Sequence, residues 1–210
     1  MSSFHSYTPG DGHGLAHDPV SAIVAPRPIG WISTISPLNG AINLAPYSFF
    51  NLVNYQPPLL AFSSVGRKDT VQNAITGGSF VWNLVTEDLG RQMNVTSAAV
   101  SPDVDEFALA GLTPLASDEV EPPRVAESPA SFECRVSDAL RLRAASGAAL
   151  DTWMVLGEVV RVHIDTDLLA NGHFDTAGAK PLLRAGGPGD YFIPSAEHTA
   201  FMLRPEPMTR

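Results

Sequence analysis

Proline and glycine punctuate this chain from end to end. Eighteen prolines and seventeen glycines are spread over 210 residues, so uninterrupted runs are short. Proline lacks a backbone donor, and glycine costs conformational entropy inside regular elements. Long helices are disfavoured, and short strands joined by turns are expected. Residues 30–36 alternate and are β-branched, which predicts a strand. Pro37-Leu38-Asn39-Gly40 is a turn carrying the strong Asn-Gly hairpin signal, and residues 41–45 return as the partner strand. Further strands are expected at 59–63 and 79–85, with a long antiparallel pair, 132–142 and 152–164, around Ser146-Gly147. Short helices are expected at 18–24, with Asp18 as cap, at 69–76, with Asp69 as N-cap and Gly77-Gly78 as the stop, and at 88–98. Residues 101–130, rich in Pro, Asp and Glu, read as a surface excursion in which Asp105-Glu106-Phe107 begins a helix. The tail 186–210 reads as irregular. Strands cluster instead of alternating with helices, so a mainly β domain spanning 1–210, built as a closed or partly closed barrel, is expected.

Charge narrows the function. The formal net charge is −9, and the two lysines are Lys68 and Lys180. A nucleic-acid binder would show a basic face, which this chain lacks. No run of 18 or more apolar residues predicts a membrane span. The opening MSSFHSYTPGDGHG has neither the basic nor the apolar region of a signal peptide, so a cytoplasmic protein is expected. Cys134 is the single cysteine, which rules out an internal disulfide or a thiolate cluster, and it reads as an inert core thiol. His13 and His17 are four apart, but Gly12 and Gly14 argue against a helix there, and no metal site is expected.

Against this acidic background, Ser63-Ser64-Val65-Gly66-Arg67-Lys68-Asp69-Thr70 stands out. A strand ends, hydroxyls and a glycine follow, then two adjacent cations, then a helix start. Helix N-termini carry free N–H groups and partial positive charge. Ser63, Ser64 and Thr70 can donate hydrogen bonds, Arg67 can pair bidentately, and Lys68 adds a point charge. The segment reads as a monophosphate cradle; a solvated cationic loop is the plainer reading. The spacing is not that of a Walker A loop. Asn43-Leu44-Ala45-Pro46-Tyr47-Ser48-Phe49 is the second candidate. Pro46 places it at a bend or a sheet edge, where backbone groups can meet a flat heterocycle, or Phe49 and Phe50 can simply fill a core. Trp31, Ser33 and Thr34, on the first strand, can face a ring or serve only the strand.

The run APRPIGWISTISPLNGAINLAPYSFFN, then FSSVGRKDTVQN, resembles the flavin reductase-like family with an FMN-binding split barrel. The likeness continues through GSFVWNLV, MNVTS, DEFALAGLT, PPRVAESPASFEC and GEVVRVHID, and covers roughly residues 15 to 192. The resemblance implies a six-stranded antiparallel split barrel with short flanking helices, usually a homodimer with FMN near the subunit interface. It implies that Ser63, Ser64, Arg67, Lys68 and Thr70 hold the phosphate. Trp31, Ser33, Thr34 and Asn43, Ala45, Pro46, Tyr47, Ser48 and Phe49 would border the ring. His163 would stand on the nicotinamide side.

The implied activity is NAD(P)H-dependent flavin reduction, with NADH or NADPH as donor and a partner monooxygenase or other acceptor downstream. Flavin carries the redox step, so no catalytic triad is required. Two other functions fit the same residues. One is a non-catalytic flavin-binding electron carrier. The other is an esterase-like hydrolase reusing the barrel pocket, although no G-x-S-x-G elbow occurs.

Overall fold

The computed structural model describes residues 3–205; the first two residues and the last five of the expected irregular tail lie outside the described residues. Its centre is a seven-stranded antiparallel sheet. The strands are β1 (Gly30–Ile35), β2 (Ile42–Tyr47), β3 (Phe50–Tyr55), β4 (Pro58–Val65), β5 (Ser79–Asn83), β6 (Ala130–Arg143) and β7 (Ala149–Ile164). They run in the order β2-β1-β5-β6-β7-β4-β3. The expected antiparallel β architecture is present, with seven strands in the main sheet where six were expected. The extra one is β3, a short hairpin partner of β4 paired from Phe50–Phe62 to Tyr55–Pro58.

Sequence-adjacent β2 and β3 occupy opposite ends of that order, so the sheet must curl to bring them together. Ser48 and Phe49 link them. The Ser63 N–H donates to the Phe49 carbonyl at 2.9 Å. Tyr47 lies 5.0 Å from Phe62 between ring centroids, and Phe50 stacks on Trp82 at 5.6 Å. At Gly30 the barrel is tight: a Cβ there would fall 2.7 Å from the Phe50 ring. The interior is apolar, with Ile32, Phe62, Val71, Phe80 and Val155 buried. Cys134 joins them, and burial pushes its thiol pKa up, which keeps it protonated and inert.

Among the described residues four α-helices flank the sheet: α1 (Val20–Ile23), α2 (Asp69–Gly77), α3 (Gly90–Val95) and α4 (Glu106–Ala110). α1 is a single turn, with Asp18 accepting from the Val20 N–H at 2.9 Å. Val20 and Ile23 on it and Val24 just after it are exposed. α2 ends as expected, on Gly78 in the left-handed region. Its start differs: Lys68 is the extended N-cap residue, and Asp69 is the first helical residue, with no capping bond from its side chain. Asp69 instead favours the helix through its charge near the positive end of the dipole.

The acidic stretch 101–130 is not a surface excursion throughout. Phe107, Leu112 and Val125 are buried in a second core with Trp31, Met93 and Leu182. Asp105 caps α4 by accepting from the Phe107 N–H at 2.8 Å. The loop that follows is tied to the sheet by Glu133, whose side chain is fully buried on β6. Its carboxylate accepts from the backbone N–H groups of Asp118 (2.9 Å), Glu119 (2.6 Å) and Val120 (3.2 Å). His163 Nε2 lies 2.6 Å from the same carboxylate. These bonds hold the Glu133 pKa below its ordinary value against the opposing effect of burial. A carboxylate with a depressed folded pKa stabilises the fold above its unfolded pKa and loses that contribution as pH falls through the folded value. Glu133→Gln should therefore lower the unfolding free energy by about 2 kcal/mol at neutral pH. In urea titrations the gap to wild type should shrink at pH values below 4.5. A gap that grows on acidification would contradict this role.

Candidate functional site

A cleft of about 310 Å³ opens where β2, the start of α2, the chain after α3 and the start of α4 meet. Alternation along β2 puts Asn43, Ala45 and Tyr47 on one face of the strand, and all three line the cleft with Pro46. β2 is the edge of the sheet, the location that a proline within a strand requires. From the other side come Lys68, Asp69 and Thr70. Gly66, with φ of 81°, makes the turn that ends β4 and delivers these residues. Its N–H donates to the Asp151 carbonyl at 2.8 Å, which pins the turn to β7.

The wall is held by a chain of side-chain hydrogen bonds centred on Asn43. Its amide donates to Glu106 at 2.9 Å, and its carbonyl accepts from Thr70 at 2.6 Å and from Thr34 at 3.3 Å. Glu106 also accepts from the Leu44 N–H at 3.2 Å. Burial raises the Glu106 pKa, with the bonds from its own backbone, Leu44 and Asn43 opposing that rise. Burial raises the pKa of the Tyr47 hydroxyl, and Thr70 and Ser64 oppose that rise. The sheet, α2 and α4 are thereby locked into one polar arc.

Several expected site residues stand elsewhere. Trp31, Ser33 and Thr34 are fully buried. Trp31 Nε1 donates to Thr96 at 2.9 Å, Ser33 donates to the Pro123 carbonyl, and Thr34 donates to Asn43. They support the cleft from behind and do not line it. Ser64 faces inward, whereas Ser63, one residue away on the strand, lines a separate apolar cavity of about 430 Å³ with Phe49 and Ser48. Arg67 is exposed, with its guanidinium 5.1 Å over the Trp153 ring. His163 is remote from the cleft. From Thr152, which pairs with Val65, β7 runs on the order of 35 Å to His163 at about 3.3 Å per residue. There His163 serves the Glu133 clamp. Asp118 Oδ2 pairs with Arg161 at 3.1 Å, and Asp118, Glu133 and His163 each bring one ligand atom within 4.8 Å of the others.

Thr96, Ser97, Ala98, Ala99, Val100 and Glu106 also line the cleft and were not singled out by sequence reasoning. A run of small and hydroxyl residues directly after a helical segment, followed by a capped acidic turn, was the available signal.

The donor set suits a phosphorylated heterocycle. Among the described residues the first backbone bond at the start of α2 is from the Gln72 N–H to the Lys68 carbonyl, at 2.9 Å. The N–H groups of residues 69–71 are left without backbone partners, as helix geometry requires. With the Thr70 hydroxyl and the Lys68 ammonium they make an anion-binding end. Asn43, Ala45 and Tyr47 make a flat wall beside it. Asn43→Ala should remove one hydrogen bond each from Glu106, Thr70 and Thr34 inside the wall and cost about 2–3 kcal/mol of stability, read by thermal or urea unfolding. A loss under 0.5 kcal/mol, the ordinary range for neutral surface substitutions, would show that the arc does not hold the wall.

The profile of the flavin reductase like domain matches residues 24–183. An uncharacterized protein of Aquifex aeolicus is 39% identical over 174 residues, covering 80% of this chain and 85% of that protein. The uncharacterized protein YwrF of Bacillus subtilis is 34% identical over 174 residues, covering 80% and 84%. The crystal structure of nitrilotriacetate monooxygenase component B from Bacillus cereus superposes with a TM-score of 0.85 at 30% identity, covering 97% of this chain and 100% of that one. Fold and family profile support redox chemistry of flavins, and the chain belongs to the flavin reductase-like family.

Proposed function

We propose that the cleft binds FMN and that the protein is an NAD(P)H-dependent flavin oxidoreductase. The observation that carries the reading is the meeting of Lys68, Thr70 and the free N–H groups of α2 with the Asn43–Tyr47 wall in one cleft. In this reading Lys68 and Thr70 hold the phosphate, and Arg67 adds charge at its entrance. Asn43, Ala45, Pro46 and Tyr47 border the ring, together with the small residues 96–99. Trp31, Ser33 and Thr34 keep that wall in place. Glu106 fixes the Asn43 amide and the Leu44 N–H, so the wall is preorganised and need not reorganise when a ring enters. FMN, when bound, would supply hydride acceptance and onward electron transfer. The chain itself binds, orients and shields.

The acceptor is read from the similarity to a monooxygenase component: this chain would pass reduced flavin or electrons to a partner monooxygenase. A homodimer is supported by exposed apolar side chains on one flank, Ile23, Val24, Phe49 and Val53, with Val24, Phe49 and Val53 sharing a cavity. No helix among the described residues is long and apolar enough to cross a membrane, and we place the protein in the cytoplasm.

The test is a flavin titration. The protein should quench FMN fluorescence on binding, and the bound flavin should bleach with NADH or NADPH under anaerobic conditions. Lys68→Ala should weaken FMN about tenfold, the loss expected for one charge-assisted bond, and leave riboflavin affinity unchanged. Equal weakening of both ligands would show that Lys68 does not read the phosphate. A protein that binds no FMN would sink the proposal.

A further inference from the structure

A larger cleft, of about 690 Å³, adjoins the first. Pro46 and Ser97 line both, so the two volumes share a wall. Two guanidinium groups, Arg91 on α3 and Arg184, line the larger one. Their convergence is informative in a chain with 13 cationic and 22 acidic residues. Arg184 is fixed in place. It donates to the carbonyls of Gly187 (3.0 Å), Pro188 (2.9 Å) and Asp190 (3.3 Å) and lies 5.0 Å over the Tyr191 ring. Arg91 makes no ion pair and no side-chain hydrogen bond among the described residues. Glu87 is the acidic residue among the lining groups, and its carboxylate is paired with Lys180 at 3.4 Å. The cleft thus holds two cationic groups, neither of them paired with a carboxylate.

We propose that this cleft binds the diphosphate of the nicotinamide dinucleotide donor, with Arg91 as the free clamp and Arg184 as the fixed charge. The proposal rests on the flavin reading above. The donor must bring its reactive ring to the flavin while its anionic middle remains outside the flavin cleft, and the shared wall at Pro46 and Ser97 allows that arrangement. The protein as a whole repels an anionic ligand, so local guanidinium groups must overcome that repulsion. A guanidinium fork matches two phosphate oxygens, and an exposed arginine can close on them. Asn94 and Ser97 add neutral donors, and Tyr191 adds a flat face.

The experiment is titration of the FMN-loaded protein with NAD+ and with NADP+, read by flavin absorbance, beside calorimetry with NAD+ on the flavin-free protein. Arg91→Ala should raise both dissociation constants by a similar factor of about ten or more. Arg91→Lys should recover part of the loss, because it keeps the charge without the fork. FMN affinity should not change. Arg161→Ala removes one positive charge at the other end of β7 and should match wild type. Unchanged NAD+ binding in Arg91→Ala would overturn the proposal. So would a loss confined to NADP+, which would move the contact to the 2′-phosphate, or an equal loss of FMN, which would move it to the flavin. A wild-type protein that takes NAD+ but no FMN would refute the flavin reading and leave the Arg91 comparison standing on calorimetry alone.

Discussion

The Asn43 amide is the joint on which the site depends. One side chain binds the buried carboxylate of α4 through its nitrogen and two threonine hydroxyls through its oxygen. Those partners belong to the sheet, to α2 and to α4. Each would be costly to bury without a partner. The network therefore specifies one arrangement of three otherwise separate pieces. It also explains why a carboxylate is tolerated at Glu106, in a wall that would otherwise favour a neutral group.

Barrel closure makes that joint possible. A flat sheet would hold β2 and β3 far apart at its two edges. Curling brings Tyr47 onto Phe62 and Phe50 onto Trp82. Pro46 then lies at an edge where a missing donor does no harm, and the turn at Gly66 reaches the same region from β4. The apolar interior supplies the driving force. The polar arc and the Glu133 clamp supply the specificity of loop placement. The clamp and the cleft lie at different ends of the long β6–β7 pair, so they constrain one domain from two sides.

Much of this was legible in the residues, for identifiable reasons. Alternation, the Asn-Gly turn and the long hairpin encode local geometry, so most strands fell near their expected positions. The cation-bearing helix start was visible because it stands out from an acidic chain. Facing was harder to read. Ser33 and Thr34 have the composition of ligand-binding hydroxyls, yet both are buried, since β1 is an interior strand of the curled sheet. Ser63 and Ser64 look equivalent in sequence and point to opposite faces. The acidic stretch hid Phe107, Leu112 and Val125 because average composition masks a few well-placed apolar residues. His163 is on the expected strand, but its ring is engaged by Glu133, a partner thirty residues away in sequence. The small residues after α3 became part of the cleft only through the packing of α3 against α4, which local pattern does not encode.

The central claim is that the cleft between β2 and α2 is a flavin site. A crystal structure determined after soaking with FMN tests it most directly. The account predicts phosphate density against Lys68, Thr70 and the first N–H groups of α2, with ring density along Asn43 to Tyr47. Ring density lodged elsewhere, or an empty cleft at saturating FMN, would contradict it.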